Sequence, residues 1–144
     1  MRKIYLLFSL LTLLTSCTDH MEAGAEAFED EDYEEALEHF EYVFKYDQQN
    51  GQVIHNIARC YEELGNYEES KNWYTKAINQ NIQSDEATFL GRARCYWGLE
   101  DYESAIMDFT TVLNVNKQNF DDYYLRGNTT MKLHQYNDAY WDLY

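Results

Sequence analysis

Proline is absent from the 144 residues, and glycine occurs only six times. Nothing at the usual breakers interrupts helical hydrogen bonding, and the alanine, glutamate, leucine and tyrosine between the turns favour an all-α chain. Basic side chains are scarce too, 11 against 26 acidic ones, for a formal charge of −15. Affinity for nucleic acid comes mainly from basic residues that neutralise phosphates, so this balance argues against a nucleic-acid partner. His20, His39, His55 and His134 are dispersed, with no pair at helical ligand spacing and no cysteine pair on one turn, so no metal site is expected. The adjacent acids Glu34 with Glu35, Glu62 with Glu63 and Glu68 with Glu69 point in different directions on a helix, and no apolar surround isolates them. They read as solvated faces and not as paired general acids. Without a nucleophile beside a base or a glycine-rich phosphate loop, the chain is expected to be no enzyme and to need no cofactor.

What is present is a composition 45% apolar and 17% aromatic, too rich for disorder and sufficient for one domain with a modest core. Residues Met1 to Ser16 form a separate segment. Arg2 and Lys3 precede the apolar run Ile4 to Leu14, which is short for a bilayer span and suits a signal peptide. Leu14-Thr15-Ser16-Cys17 then resembles the lipobox of bacterial lipoproteins, in which an apolar residue and two small ones precede the cysteine that becomes the lipidated N-terminus. The resemblance implies a mature chain, Cys17 to Tyr144, anchored by acyl chains at Cys17. Loss of Arg2 and Lys3 leaves nine basic against 26 acidic side chains, a net −17. Thr18 follows the cysteine where an aspartate often retains such proteins at the inner membrane, so the expected address is the outer membrane of a bacterial envelope.

From Met21 onward the chain repeats itself. Ala58-Arg59-Cys60-Tyr61 returns as Ala93-Arg94-Cys95-Tyr96, and Tyr33, Tyr67, Tyr102 and Tyr136 recur at a period of about 34. A small residue precedes each tyrosine by nine positions, at Gly24, Ala58, Ala93 and Gly127. A second small residue follows it by three, at Ala36, Ser70, Ala105 and Ala139, and a bulky one by seven, at Phe40, Tyr74, Phe109 and Leu143. Val43, Ala77 and Val112 form a further column. This pattern resembles the tetratricopeptide repeat family, whose units are pairs of helices, A and B, stacked into a right-handed superhelix. The resemblance implies repeats at about 17–50, 51–84 and 86–119 and an incomplete fourth at 120–144.

Asp32, Asn66 and Asp101 stand just before the helix-B tyrosines, where a side-chain oxygen can cap free N–H groups, and Glu35 and Glu69 would complete capping boxes. Gln135 is a poor cap for a last helix B, expected from Tyr136 to Tyr144. Tyr140, Trp141 and Leu143 near that end suggest an open edge, either from truncation or for pairing with a second copy. Proline, common at the end of helix B in the family, is replaced by Gln48, Ile82 and Lys117, and one residue is inserted near Asp85. Cys60 and Cys95 hold one position in successive repeats, so packed helices should keep them about 8 to 10 Å apart, too far for a disulfide. They read as small buried apolar residues. Asn128-Thr129-Thr130 matches a glycosylation acceptor in name only, inside a helix.

Carried over from the family, the concave groove takes Gln52, His55, Arg59 and Glu62 from the second unit and Leu90, Arg94 and Trp97 from the third. Asp121, Tyr124, Asn128 and Met131 follow from the fourth, and Met21 and Phe28 from the first. Each aromatic residue among them reads equally as core. Arg59 and Arg94 share one helix-A position and are expected side by side, either binding a carboxylate by their planar forks or pairing with Glu62 or Glu63. His55 and Leu90 stand where the family's carboxylate clamp has lysines. The expected function is a membrane-anchored scaffold that holds a protein or peptide in this groove; the alternative is an accessory nutrient- or glycan-binding surface lipoprotein.

Overall fold

In the computed structural model the described backbone covers residues 2–79, 86–115 and 120–142. Its elements are α1 (Arg2–Glu29), α2 (Tyr33–Tyr46), α3 (Gly51–Glu63), α4 (Tyr67–Asn79), α5 (Glu86–Gly98), α6 (Tyr102–Val115) and α7 (Phe120–Asp142), with no strand among the described residues. Each helix packs on its neighbours in sequence, and α3 also touches α5. The result is the expected all-α stack of helical hairpins.

The repeated columns are the core. Ala36, Ser70 and Ala105 are fully buried, as are Phe40, Tyr74 and Phe109 to within 1% exposure, and Val43, Ala77 and Val112 close the same layers. The small residue on helix A lets the ring on helix B approach: a Cβ on Gly24 would stand 2.9 Å from the ring of Phe40. Ser70 is the one polar member of its column, and its hydroxyl donates to the Ala58 carbonyl at 2.7 Å, so it is buried without an unmet donor. Burying each of these rings is worth about 1.5–3 kcal/mol.

The A-to-B turns obey one rule. In each of the first three repeats helix A ends on a residue of positive φ, Glu31 (64°), Gly65 (74°) and Glu100 (61°). The next N–H then bonds back five residues, from Asp32 to Ala27, Asn66 to Tyr61 and Asp101 to Tyr96, while Glu31, Gly65 and Glu100 bond back three. This double bond is the Schellman ending. It overturns the expected capping boxes, because the N–H that Glu35 or Glu69 would accept from is already taken. Asp32 and Asp101 do cap, accepting from Glu35 N–H at 3.2 Å and Ser104 N–H at 3.1 Å, whereas Asn66 contributes its carbonyl to Ser70. Glu35 instead lies 3.8 Å from His39. Between the first two repeats, Asp47 and Asn50 shape the turn that lacks a proline: Asp47 accepts from Gln49 N–H, and Asn50 caps α3 through Val53 N–H.

The fourth unit departs from expectation. No turn forms at Gln135, and α7 runs unbroken to Asp142, so no separate helix B folds back there. The corresponding turn positions are His134 and Gln135, which offer neither the glycine nor the aspartate that ends and restarts the other helices, and both are compatible with helix. With no helix returning, a Cβ on Gly127 would meet nothing within 4 Å, in contrast to Gly24. The inserted residue near Asp85, Ile82 and Lys117, and the side chains of Tyr136, Ala139, Tyr140, Trp141 and Leu143 lie outside the described residues.

At the amino end, α1 is helical from Arg2 and not only from Met21, so Cys17 sits within the first helix of the stack. Cys17 is half-buried against the first core layer, and Ser16 Oγ lies 3.2 Å from the Tyr42 hydroxyl. His20 stacks on Tyr42 at 3.9 Å between centroids and places Nδ1 2.7 Å from Nδ1 of His39, which joins two histidines that are remote in sequence. They form no metal-holding cluster of three or more ligands among the described residues. No described helix is long and apolar enough to cross a membrane.

Cys60 and Cys95 are free, buried thiols in different core layers. Burial pushes each thiol from 9.0 up to about 12, and burial followed by the charge of Glu62 holds the Tyr74 phenol well above its usual range. The folded state thus keeps protons that the unfolded chain releases from about pH 9 upward. Stability is expected to be intact below pH 9 and to fall steadily towards pH 12, with Cys60→Ala/Cys95→Ala flattening that fall; urea titrations at stepped pH measure it. A second expectation concerns Gly91, where a Cβ would stand 2.3 Å from Cζ of the buried Tyr74 ring. Gly91→Ala should cost about 1–3 kcal/mol in chemical denaturation, since a fully packed ring has nowhere to retreat.

Candidate functional site

Two pockets open between successive helix-A ends, and they are one pocket repeated. The first is lined by Phe28, Glu29, Tyr33 and Arg59, with Asn56 and Glu31 beside them. The second is lined by Glu62, Glu63, Tyr67 and Arg94, which are the same four repeat positions one unit on, and is completed by Trp97, Gly98, Phe109, Leu125 and Asn128. Its cavity is about 320 Å³, at the small end for a ligand pocket and suited to one or two side chains of a bound segment.

The chemistry differs because of one hydroxyl. Tyr74 is fully buried, but its phenol donates to Glu62 Oε2 at 2.9 Å, out of the core and into the groove wall. Glu62 in turn receives Arg94 in a two-pronged pair, Nε to Oε1 and Nη2 to Oε2 at 3.2 Å. Its side chain is only 11% exposed, so it is a structural acceptor and not part of a solvated face. Burial is the largest single influence and works against the Arg94 charge, yet the bond to Glu62 and the charge of Glu62 together outweigh it and raise the guanidinium pKa above its ordinary value. In the first pocket the residue at the Glu62 position is Phe28, and Arg59 lies over its ring at 4.2 Å, an exposed cation held by a π face. Arg59 and Arg94 therefore line separate pockets and occupy different partners; they do not form one paired fork.

The remaining expected groove residues divide. Glu62, Arg94, Trp97 and Asn128 converge on the second pocket. Tyr124 and Met131 are exposed on α7 at 69% and 58%, and Trp97 at 45%. Gln52 is exposed and donates to Asn56 Oδ1 on its own helix. His55 faces Thr88 at 3.4 Å and meets Tyr74 edge-on, while Leu90 packs on the third core layer. Met21 and Phe28 lie against the first core layer, and Asp121 is exposed. Tyr67, Glu63 and Gly98 were missed in the sequence, although a signal was there: Tyr67 repeats Tyr33, and Gly98 is needed because a Cβ would stand 2.6 Å from the Tyr67 ring.

A more deeply buried ion pair, Arg92 with Asp108, braces α5 on α6. Nε and Nη2 donate to the two carboxylate oxygens at 2.7 and 2.9 Å, and that bond, ahead of the opposing burial, raises the arginine pKa. Neither residue lines either pocket, and the pair reads as support.

Tetratricopeptide repeat profiles match residues 27–88 and 88–119. Among solved structures, the Arabidopsis OM64 TPR domain is similar at a TM-score of 0.74 and 20% identity, covering 81% of this chain and 96% of that one. The second TPR domain of human RPAP3, solved with the HSP70 peptide SGPTIEEVD, is 24% identical with a TM-score of 0.73, covering 81% and 96%. A tetratricopeptide repeat protein from Parabacteroides merdae is 22% identical with a TM-score of 0.75, covering 85% of this chain and 48% of its own. No curated protein matches the chain.

The Tyr74–Glu62–Arg94 chain makes an asymmetric prediction. Glu62→Ala strands both a buried phenol and a guanidinium and should cost about 1–3 kcal/mol. Arg94→Ala leaves Glu62 still bonded to Tyr74 and should cost less than about 1 kcal/mol, as an exposed half of an ion pair does. Equal costs in thermal or urea unfolding would show that Tyr74 does not depend on Glu62.

Proposed function

The chain belongs to the tetratricopeptide repeat family, and on that premise we propose that it is a lipid-anchored, non-catalytic scaffold that holds a protein or peptide segment in its concave groove at a bacterial envelope membrane. The observation that carries the binding part is the repeated pocket, which sets half-exposed Trp97 beside polar groups at the mouth of a cavity large enough for a side-chain anchor. Solved relatives in fold hold short peptides, among them the first TPR of Spaghetti (RPAP3) with the HSP90 peptide SRMEEVD. The anchoring part rests on Leu14-Thr15-Ser16-Cys17 with its basic start and short apolar run. Cys17 lies in the first helix itself, so an acyl anchor there would hold the array directly at the bilayer with no intervening stalk. The outer membrane is the proposed destination, on the strength of Thr18 after the cysteine.

Anchoring is tested with Cys17→Ser. The unaltered chain should take up labelled fatty acid and stay with membranes through a high-salt wash, and the variant should do neither. Membrane retention together with label in the variant would overturn the anchor. For the groove, Trp97→Ala should reduce retrieval of a crosslinked envelope partner while leaving the helical content unchanged.

A further inference from the structure

Granted the groove reading just given, we infer that the repeated pocket receives the cationic side chains of a lysine- or arginine-bearing segment, one in each copy of the pocket. Each copy sets two carboxylates against one arginine: Glu62 and Glu63 with Arg94, and Glu29 and Glu31 with Arg59. In both copies the arginine is already engaged. Arg94 is held by both oxygens of Glu62, itself tied to Tyr74, and Arg59 lies on the face of Phe28. Glu29, Glu31 and Glu63 are exposed and make no ion pair among the described residues.

Two carboxylates against one guanidinium leave both mouths net negative, even with the Arg59 charge intact on its ring, and that charge lies beside aromatic rings, Tyr33 in one copy and Tyr67 with Trp97 in the other. A carboxylate next to a ring face is suited to an ammonium or guanidinium, which gains charge attraction and a cation–π contact together. An acidic ligand meets the reverse situation. To reach Arg94 it must displace a two-pronged partner anchored from the core, against a chain of net −15. The fold is thus shared with relatives solved with EEVD-ending peptides, while the chemistry of this groove selects the opposite sign.

The test uses the full chain in nonionic detergent and two fluorescent probes: a ten-residue Gly/Ser peptide carrying two lysines, and the acidic peptide SRMEEVD. Anisotropy titrations at about 150 mM salt, where long-range attraction is largely screened, should show the lysine peptide binding more tightly. Glu29→Gln/Glu63→Gln should weaken it by about fivefold or more. The control Glu38→Gln/Glu103→Gln removes the same charge from exposed positions that line neither pocket, and should leave binding unchanged. Equal weakening by both pairs would reduce the effect to net charge and overturn the inference. Tighter binding of SRMEEVD, abolished by Trp97→Ala, would overturn the inference while upholding the groove. Binding of neither peptide would overturn it as well; whether the groove reading then stands is read separately from the crosslinked retrieval with and without Trp97→Ala.

Discussion

One hydroxyl couples the core of this protein to its groove. The bulky helix-B position is phenylalanine in the first and third repeats, Phe40 and Phe109, and tyrosine in the second. A ring can be buried freely, but a phenol that cannot reach an acceptor costs about 1–3 kcal/mol. Tyr74 resolves this by running past Gly91, where no Cβ stands in its way, to Glu62. The carboxylate is thereby fixed, and it fixes Arg94 in turn. Where the helix-B residue is Phe40 or Phe109, the position matching Glu62 is apolar, Phe28 or Trp97. Core and groove positions thus vary together across the first three repeats.

That dependence explains why one pocket appears twice with different contents. The arginine, the tyrosine and the outer glutamate recur at matching positions, but the fourth member alternates between a ring and a carboxylate, and the arginine takes whichever is offered. The carboxylate neutralises Arg94, whereas the ring holds Arg59 in place and leaves its charge intact. Repetition here conserves shape while letting neighbouring copies differ in polarity, a freedom available because each helix pair interacts mainly with its immediate neighbours.

Much of the architecture was legible because it rests on periodic sterics. The columns at Gly24, Ala58 and Ala93, at Ala36, Ser70 and Ala105, and at Phe40, Tyr74 and Phe109 identify the buried face without reference to partners. The helix ends were legible only in part. Asp32 and Asp101 could be read as caps, but the backbone N–H bonds that exclude the capping boxes depend on Glu31 and Glu100 adopting positive φ, a conformation glutamate rarely shows and sequence does not advertise. The fourth unit failed for a related reason. A tyrosine in the correct column does not start a helix when His134 and Gln135 supply no ending for the helix before it.

The site was less legible than the fold because it depends on which side chains meet across repeats. Position suggested that Arg59 and Arg94, sharing a column, would either act together or pair with Glu62 or Glu63, and Arg94 takes the second course with Glu62. Their partners are set by residues in other columns, Phe28 and Glu62, and the choice between these traces back to whether a buried ring carries oxygen. The same dependence could have been read within the chain: tyrosine at position 74 coincides with glutamate at 62, while phenylalanine at 40 and 109 coincides with Phe28 and Trp97. Comparing columns with one another, and not only repeats with one another, carries the argument from a buried ring to the sign of the charge left exposed at the groove.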